Sequence, residues 1–518
     1  MTAPAPPSAD PTGLSALVRA AAARRPEAPA VVDGADRVTW GELDALVDRA
    51  AAGLAARGLA RGDRVAVQLP NGLAWLRAVL GALRAGLVVV PVNTAYTGPE
   101  VEHVLRDSGA ALLVTAAGRE PVAGVPVLSG PPEADGPPPA DDDDPAAVSF
   151  LAYTSGTTGR PRGAMLTAGA LRANQRQCLA MDPPPVRPDD RVLLVLPLFH
   201  VYGLNAGFGL VAATGACAVL VPAFDPRATL EVMEREQVTA VPGAPPLYQA
   251  WLAVADAEGS DARLRRALAA VRTASSGAAP LPAATWTAMR ERTAVQVWEG
   301  YGLTEACPVV ASTLATGRAK PACIGGPLPG VEVALREPGG GDAGDAGDGP
   351  GELWVRGPNL FAGFWPDGAD GPDDDGWLAT GDLAHRDADG DLHLLNRRSD
   401  LVLVSGFNVY PAEVERVLDA HPTVAESAVI GVPDPRTGAA VLAVVAPAPG
   451  AVVDADELRA HAAASLARYK VPTAVVVLPA LPHSLTGKIS RARLRELGLD
   501  RDDAAGGGAP EPVGVPGD

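Results

Sequence analysis

With 518 residues, 47% of them apolar, the chain is too long for one core, and two or more domains are expected. A net charge of −18 repels phosphate backbones and argues against nucleic acid as a partner. The four cysteines form no Cys-x-x-Cys pair, so neither a disulfide framework nor a zinc site is suggested, and a cytoplasmic location fits.

Residues 1–13 are rich in Pro and Ala, with no basic region, and read as a disordered N-terminus rather than a signal peptide. No apolar run reaches about 18 residues, so no membrane span is expected. Leu14 to Arg25 has the spacing of an amphipathic helix, and Thr39 ahead of Trp40 and Glu42 predicts a capped helix start. Arg64 to Gln68 and Leu87 to Pro91 read as buried strands around a helix at Ala74 to Ala85. This alternation predicts an α/β fold, a parallel sheet covered by helices. Residues 117–146 carry eight prolines and the run Asp141 to Asp144, and read as a surface excursion.

Tyr153 to Gly163 holds four Ser/Thr hydroxyls, three glycines and two arginines. An apolar run precedes it, and Thr167 is an N-cap for a helix at Ala168 to Met181. Strand, Gly-rich loop and helix in succession cradle phosphate, with glycines admitting backbone N–H groups. It is not a Walker loop, and a polar surface loop is the plain alternative. The strand Arg191 to Pro197 leads to His200, placed where open α/β sheets bind ligands; a turn histidine is the alternative there. Val219 to Pro222 and Val238 to Pro242 read as strands flanking a helix at Pro226 to Glu236. Val271 to Thr273 runs into small residues, Ser275 to Pro280, that let a flat ligand approach.

In Glu299 to Glu305, Tyr301 between glycines suits a base, Thr304 a phosphate and Glu305 an Mg²⁺ ion. A loop tyrosine beside an exposed glutamate is the plain alternative. Gly351 to Gly357 reads as a strand, and Asp382 after Gly381 suits a ribose diol. A polar break at Arg397 to Asp400 marks a domain boundary. Beyond it, Pro411 opens a helix, and strands at Ala428 to Val432 and Ala440 to Ala446 join a helix at Asp456 to Leu466 in a small α+β domain. The chain has only three lysines (Lys320, Lys470, Lys488), so Lys488 is informative in a sequence that otherwise writes Arg. The last residues, 501–518, read as a disordered tail.

Seven motifs stand in one order: Tyr153 to Gly163, Leu196 to Gly203, Glu299 to Glu305, Gly351 to Gly357, Thr380 to Leu383, Arg397 to Pro411 and Thr486 to Lys488. In that order they resemble the adenylate-forming superfamily of acyl-CoA synthetases, luciferases and peptide-synthetase adenylation domains, over about residues 14–498. Arg397 to Pro411 is most similar to the bacterial long-chain fatty acyl-CoA synthetases. The resemblance implies a large N-terminal domain of helix-covered β-sheets (14–398) and a small mobile C-terminal domain (399–500). It implies a medium- or long-chain fatty acid:CoA ligase that forms acyl-AMP and pyrophosphate from ATP, then acyl-CoA and AMP.

The roles it implies fall on particular residues. Thr154, Ser155, Gly156, Thr157, Thr158 and Gly159 would wrap the β- and γ-phosphates. Gly277, Ala278, Ala279 and Tyr301 would bracket adenine, and Asp382 and Arg397 would hold ribose. Thr304 would bond the α-phosphate, Glu305 would hold Mg²⁺ and His200 would stand by the carboxylate. Lys488 would bridge carboxylate and α-phosphate. Ser399 would be the pivot of the moving domain, and Ser405, Gly406 and Phe407 would line the CoA tunnel. Three positions depart from the family: Ser399 stands where Asp or Lys is usual, Arg162 where Lys is usual, and Leu403 where plant aromatic-acid ligases often have Lys, which weakens a hydroxycinnamate reading. Alternatives are an acyl-AMP ligase loading a carrier protein, a CoA ligase for another acid such as an aromatic or short dicarboxylic one, and a degenerate nucleotide-binding protein. Peripheral membrane contact and a homodimer are left open by the sequence.

Overall fold

The computed structural model describes residues 11–116, 122, 124–137, 144–154, 161–336, 350–397, 400, 402–404, 407–434, 437–483 and 489–498. The fold is mixed α/β, as the alternating pattern predicts. It divides into two compact units, the first drawn from residues up to 334 with 354–380 and 388–392, the second from the remainder. No helix among the described residues is long and apolar enough to cross a membrane.

The first unit carries a nine-stranded sheet in the order Gly326–Pro327, Val309–Ser312, Val297–Gly302, Thr273–Ser276, Ala240–Gly243, Arg191–Leu194, Cys217–Leu220, Pro29–Asp33, Asp36–Thr39. The six from Val297–Gly302 to Pro29–Asp33 run parallel. Their carboxyl ends therefore share one edge, and that edge is where such sheets bind ligands. Short runs of Val, Leu and Ala fill these strands because both faces are covered. On one face Leu193, Val219, Val241, Ala274 and Val297 join Leu230, Trp251, Trp286 and Met289 of the covering helices in one core. Each such side chain contributes about 1.5–3 kcal/mol by leaving water.

A second sheet runs in the order Val127–Ser129, Leu112–Thr115, Arg64–Gln68, Val88–Pro91, Val148–Thr154, Arg162–Thr167. Its edge strand Val127–Ser129 comes from the Pro-rich stretch, which is therefore not wholly a surface excursion. Its next residues pack on the helix Trp40–Ala55, where a Cβ on Gly53 would lie 2.8 Å from the backbone nitrogen of Glu133. That helix opens with the predicted capping box, in which Thr39 Oγ accepts the Glu42 N–H and the Glu42 carboxylate accepts the Thr39 N–H. The predicted succession of strand, loop and helix after Tyr153 is corrected. A strand, Arg162–Thr167, intervenes and pairs antiparallel with Val148–Thr154, so the phosphate-loop motif caps a hairpin. The helix Ala168–Leu179, with Thr167 as its N-cap, starts only after that return strand.

The second unit contains a five-stranded sheet in the order Phe407–Val409, Val402–Val404, Gly438–Pro447, Val424–Asp434, with Ala474–Val477 pairing in parallel with Gly438–Pro447. Val414, Leu418 and Leu458, from the helices Pro411–Asp419 and Ala455–Ser465, pack on one face. Leu494 from the helix Arg491–Glu496 packs on the other.

Candidate active site

The hairpin supplies the first part of the site. Thr154 ends one strand opposite Arg162, which begins the next, and Ser155 to Gly159 lie outside the described residues. Tyr153 donates its hydroxyl to Asp107 at 2.6 Å, so this motif residue anchors the strand. Arg162 pairs with Asp370 at 2.6 Å, and its guanidinium lies 4.1 Å from the centre of the Phe364 ring. A guanidinium can lie over an aromatic ring and bond a carboxylate at once, so the Arg in place of Lys has local partners.

At the carboxyl edge of the large sheet, His200 follows the strand Arg191–Leu194. Its backbone path is set by Asn71, which donates to the carbonyls of Leu194 (3.3 Å) and Leu196 (2.9 Å) and accepts the N–H of Leu198 (2.8 Å). His200 Nδ1 accepts the Tyr202 N–H at 3.2 Å, which places the neutral ring's proton on Nε2. Gly203 is required here, since a Cβ would come 2.4 Å from the Pro197 carbonyl. Tyr202 opens a π-helical segment, Tyr202–Gly209, a rare geometry that recurs at functional sites. Its hydroxyl lies 3.3 Å from Ser275 Oγ, and its phenol is pushed up to about 12 by burial. A Cβ on Gly277 would come 3.1 Å from the Tyr202 ring. Ala278 adopts φ +68°, a left-handed conformation that costs an alanine energy and keeps the chain tight after the strand.

Tyr301 is buried in the strand Val297–Gly302. A Cβ on Gly302 would lie 2.2 Å from the Pro308 carbonyl, so only glycine closes this turn. Thr304 and Glu305 occupy a short 3₁₀ turn, Thr304–Ala306, fixed by the Leu303 N–H to Pro308 O bond at 3.0 Å. Residues 361–365, which no motif announced, tie this turn to the hairpin. The Phe361 N–H donates to Glu305 O (2.9 Å), the Ala362 N–H to Met165 O (3.0 Å), and the Trp365 N–H to Gly163 O (2.8 Å). The first unit thus brings together the hairpin bearing Thr154, the Thr304–Glu305 turn, Tyr301 and Gly277 to Ala279 with His200.

Residues 18–365 match the AMP-binding enzyme family, and residues 413–488 match the AMP-binding enzyme C-terminal domain. The chain belongs to this adenylate-forming family. It is 39% identical over 481 residues to the feruloyl-CoA synthase of an Amycolatopsis species, spanning 91% of this chain and 96% of that one. It is 33% identical over 535 residues to the long-chain-fatty-acid–CoA ligase of Bacillus subtilis, spanning 93% and 94%. Its fold matches ATP-bound MatB from Rhodopseudomonas palustris with a TM-score of 0.84 at 32% identity, covering 94% of this chain and 99% of that one.

The remaining expected site residues of this AMP-binding enzyme fall in its second unit. Asp382 is buried in the strand Trp377–Arg386, just after Gly381 at φ +73°. Arg397 ends the neighbouring strand, Leu392–Arg397, and its side chain lies outside the described residues. Phe407 opens a strand paired with Val404, its side chain likewise outside. Ser399, Ser405, Gly406 and Lys488 also lie outside the described residues. Mg²⁺ takes oxygen ligands and retains several waters. Thr304 and Glu305, both partly exposed on one 3₁₀ turn, offer a hydroxyl and a carboxylate oxygen, donor types that fit the ion. Burial, reinforced by the charge of Glu305, pushes the Cys307 thiol well up and disfavours its thiolate form.

Proposed function

We propose that this AMP-binding enzyme is an ATP-dependent acid:CoA ligase acting on an aromatic acid of the phenylpropenoic class. A carboxylate resists substitution because its leaving group is oxide. Attack of a carboxylate oxygen on the α-phosphorus of ATP forms the acyl-adenylate and expels pyrophosphate. Attack of the CoA thiolate on the acyl carbon then forms the thioester and expels AMP. The barrier to the first step is the approach of an anion to a polyanion, and aimed cations and N–H donors lower it. Thr154 to Gly159 hold the β- and γ-phosphates, Thr304 the α-phosphate, and Asp382 with Arg397 the ribose. Gly277 to Ala279 and Tyr301 enclose adenine. The Nε2–H of His200 donates to the acid, and Lys488 bridges it to the α-phosphate. Glu305 holds Mg²⁺, which when bound neutralises part of the phosphate charge.

The observation that carries the acid assignment is the half-buried tyrosine beside His200, Tyr202, whose N–H the His200 ring accepts. Tyr202 stands against Gly277 with its hydroxyl near Ser275. An aromatic acid's ring can pack on Tyr202 edge to face. The similarity to a feruloyl-CoA synthase supports the same reading. A medium- or long-chain fatty acid is the second reading, favoured by the run Arg397 to Pro411 and by the Bacillus subtilis relative. The test is kcat/KM for ferulate against saturated fatty acids of graded length. Ferulate should lead by about tenfold or more, the scale of discrimination a shaped pocket supplies. A fatty acid matching or exceeding ferulate would overturn the aromatic assignment and leave the second reading.

A further inference from the structure

The Thr304–Glu305 turn is too short to hold itself, and its outward carbonyls are taken by groups from elsewhere. Asn359 Nδ2 donates to Ala306 O at 2.9 Å, Asn205 Nδ2 to Cys307 O at 2.7 Å, and Asn174 Nδ2 to Val309 O at 2.7 Å. All three amides are almost fully buried. Two glutamines of the helix Ala168–Leu179 set their orientation. Gln175 Nε2 donates to Asn205 Oδ1 at 2.8 Å, and Gln177 Nε2 to Asn359 Oδ1 at 3.1 Å. Space is reserved for the first pair, because a Cβ on Gly209 would come 2.5 Å from Asn205 Oδ1 and 2.8 Å from Gln175 Nε2. A buried amide is costly unless satisfied, and these are satisfied by one another, by the turn and by neighbouring carbonyls, Asn205 Nδ2 also donating to Leu171 O at 3.0 Å. Asn205 is the singular one. It belongs to the Tyr202–Gly209 segment that opens on the acid-side tyrosine, and it grips the carbonyl two residues past Glu305.

We propose that Asn205, oriented by Gln175, is a positioning residue that holds the Thr304–Glu305 turn in register with the acid-side segment. The inference rests on Thr304 and Glu305 serving the triphosphate and its metal, as proposed above. The test is calorimetric titration of the full chain with α,β-methylene ATP, whose bridging carbon blocks the cleavage that adenylation requires, with Mg²⁺ and with EDTA. Mg²⁺ should tighten binding to the unaltered chain, and Glu305→Gln should abolish that gain. Asn205→Ala should shrink the gain by about five- to tenfold, the equivalent of one buried hydrogen bond. Gln175→Met keeps the volume and touches no turn atom, and it should shrink the gain in the same direction by less. It decides the matter if Asn205→Ala does not fold. A purely structural role would lower the number of binding-competent molecules and leave the gain intact. An undiminished gain in both amide variants, with Glu305→Gln abolishing it, overturns the positioning role and leaves the metal assignment standing. An undiminished gain in Glu305→Gln overturns the metal assignment and this inference with it.

Discussion

Lysine is so scarce in this chain that each one asks for a reason. Lys320 pairs with Asp391 at 2.9 Å and with Asp389, and Lys470 pairs with Glu413 at 2.6 Å. Both are thereby committed to structure, which leaves Lys488 as the candidate for chemistry. Replacing it with alanine should lower acyl-adenylate formation by about a hundredfold or more, as loss of an aimed charge donor does. Thioester formation from supplied acyl-adenylate and CoA should stay within a few-fold of the unaltered enzyme, measured by thioester release. Equal loss of both steps would contradict its assignment to the first. At this scale the sequence yields the residues that motifs carry and little of what holds them. Arg162 stands as a phosphate-loop cation by position, yet its partner Asp370 lies 208 residues away and no local pattern could announce it. Arg84 is another case. It is fully buried, pairs with Asp44 (2.6 Å) and Asp48 (2.7 Å), donates to Ser15 O, and so locks three helices. In the sequence it is one arginine among many.

At the scale of elements, local rules were a good guide where the signal was local. Capping residues and apolar runs set the helix Trp40–Ala55 and the parallel strands close to where they fall. The return strand Arg162–Thr167 was missed because its partner, not its own composition, makes it a strand. The π-helical segment was equally invisible, since apolar periodicity does not separate it from an α-helix. What the site asks of these elements is close approach of backbones, and Gly302 is the sharpest instance. Gly302→Ala would drive a methyl into the Pro308 carbonyl and force the pair Val297–Gly302 and Val309–Ser312 apart. Urea unfolding should show a loss of about 1–3 kcal/mol, the usual cost of overpacking. An unchanged midpoint would show that the turn yields without cost.

For the whole molecule, the candidate residues are divided between the two units. The hairpin, His200, Tyr301 and the Thr304–Glu305 turn belong to the first, while Asp382, Arg397 and the 405–407 and 488 positions belong to the second. The proposed two-step reaction draws on residues of both sets. Within the second unit, Asp400 pairs with Arg495 at 2.8 Å, which ties it to the helix Arg491–Glu496. The central claim, activation through an adenylate, is tested most directly by the products of ATP when the full chain is supplied with Mg²⁺, CoA and ferulate. The account predicts AMP and pyrophosphate, formed one for one with the thioester and only when the acid is present. Release of ADP and phosphate would contradict it.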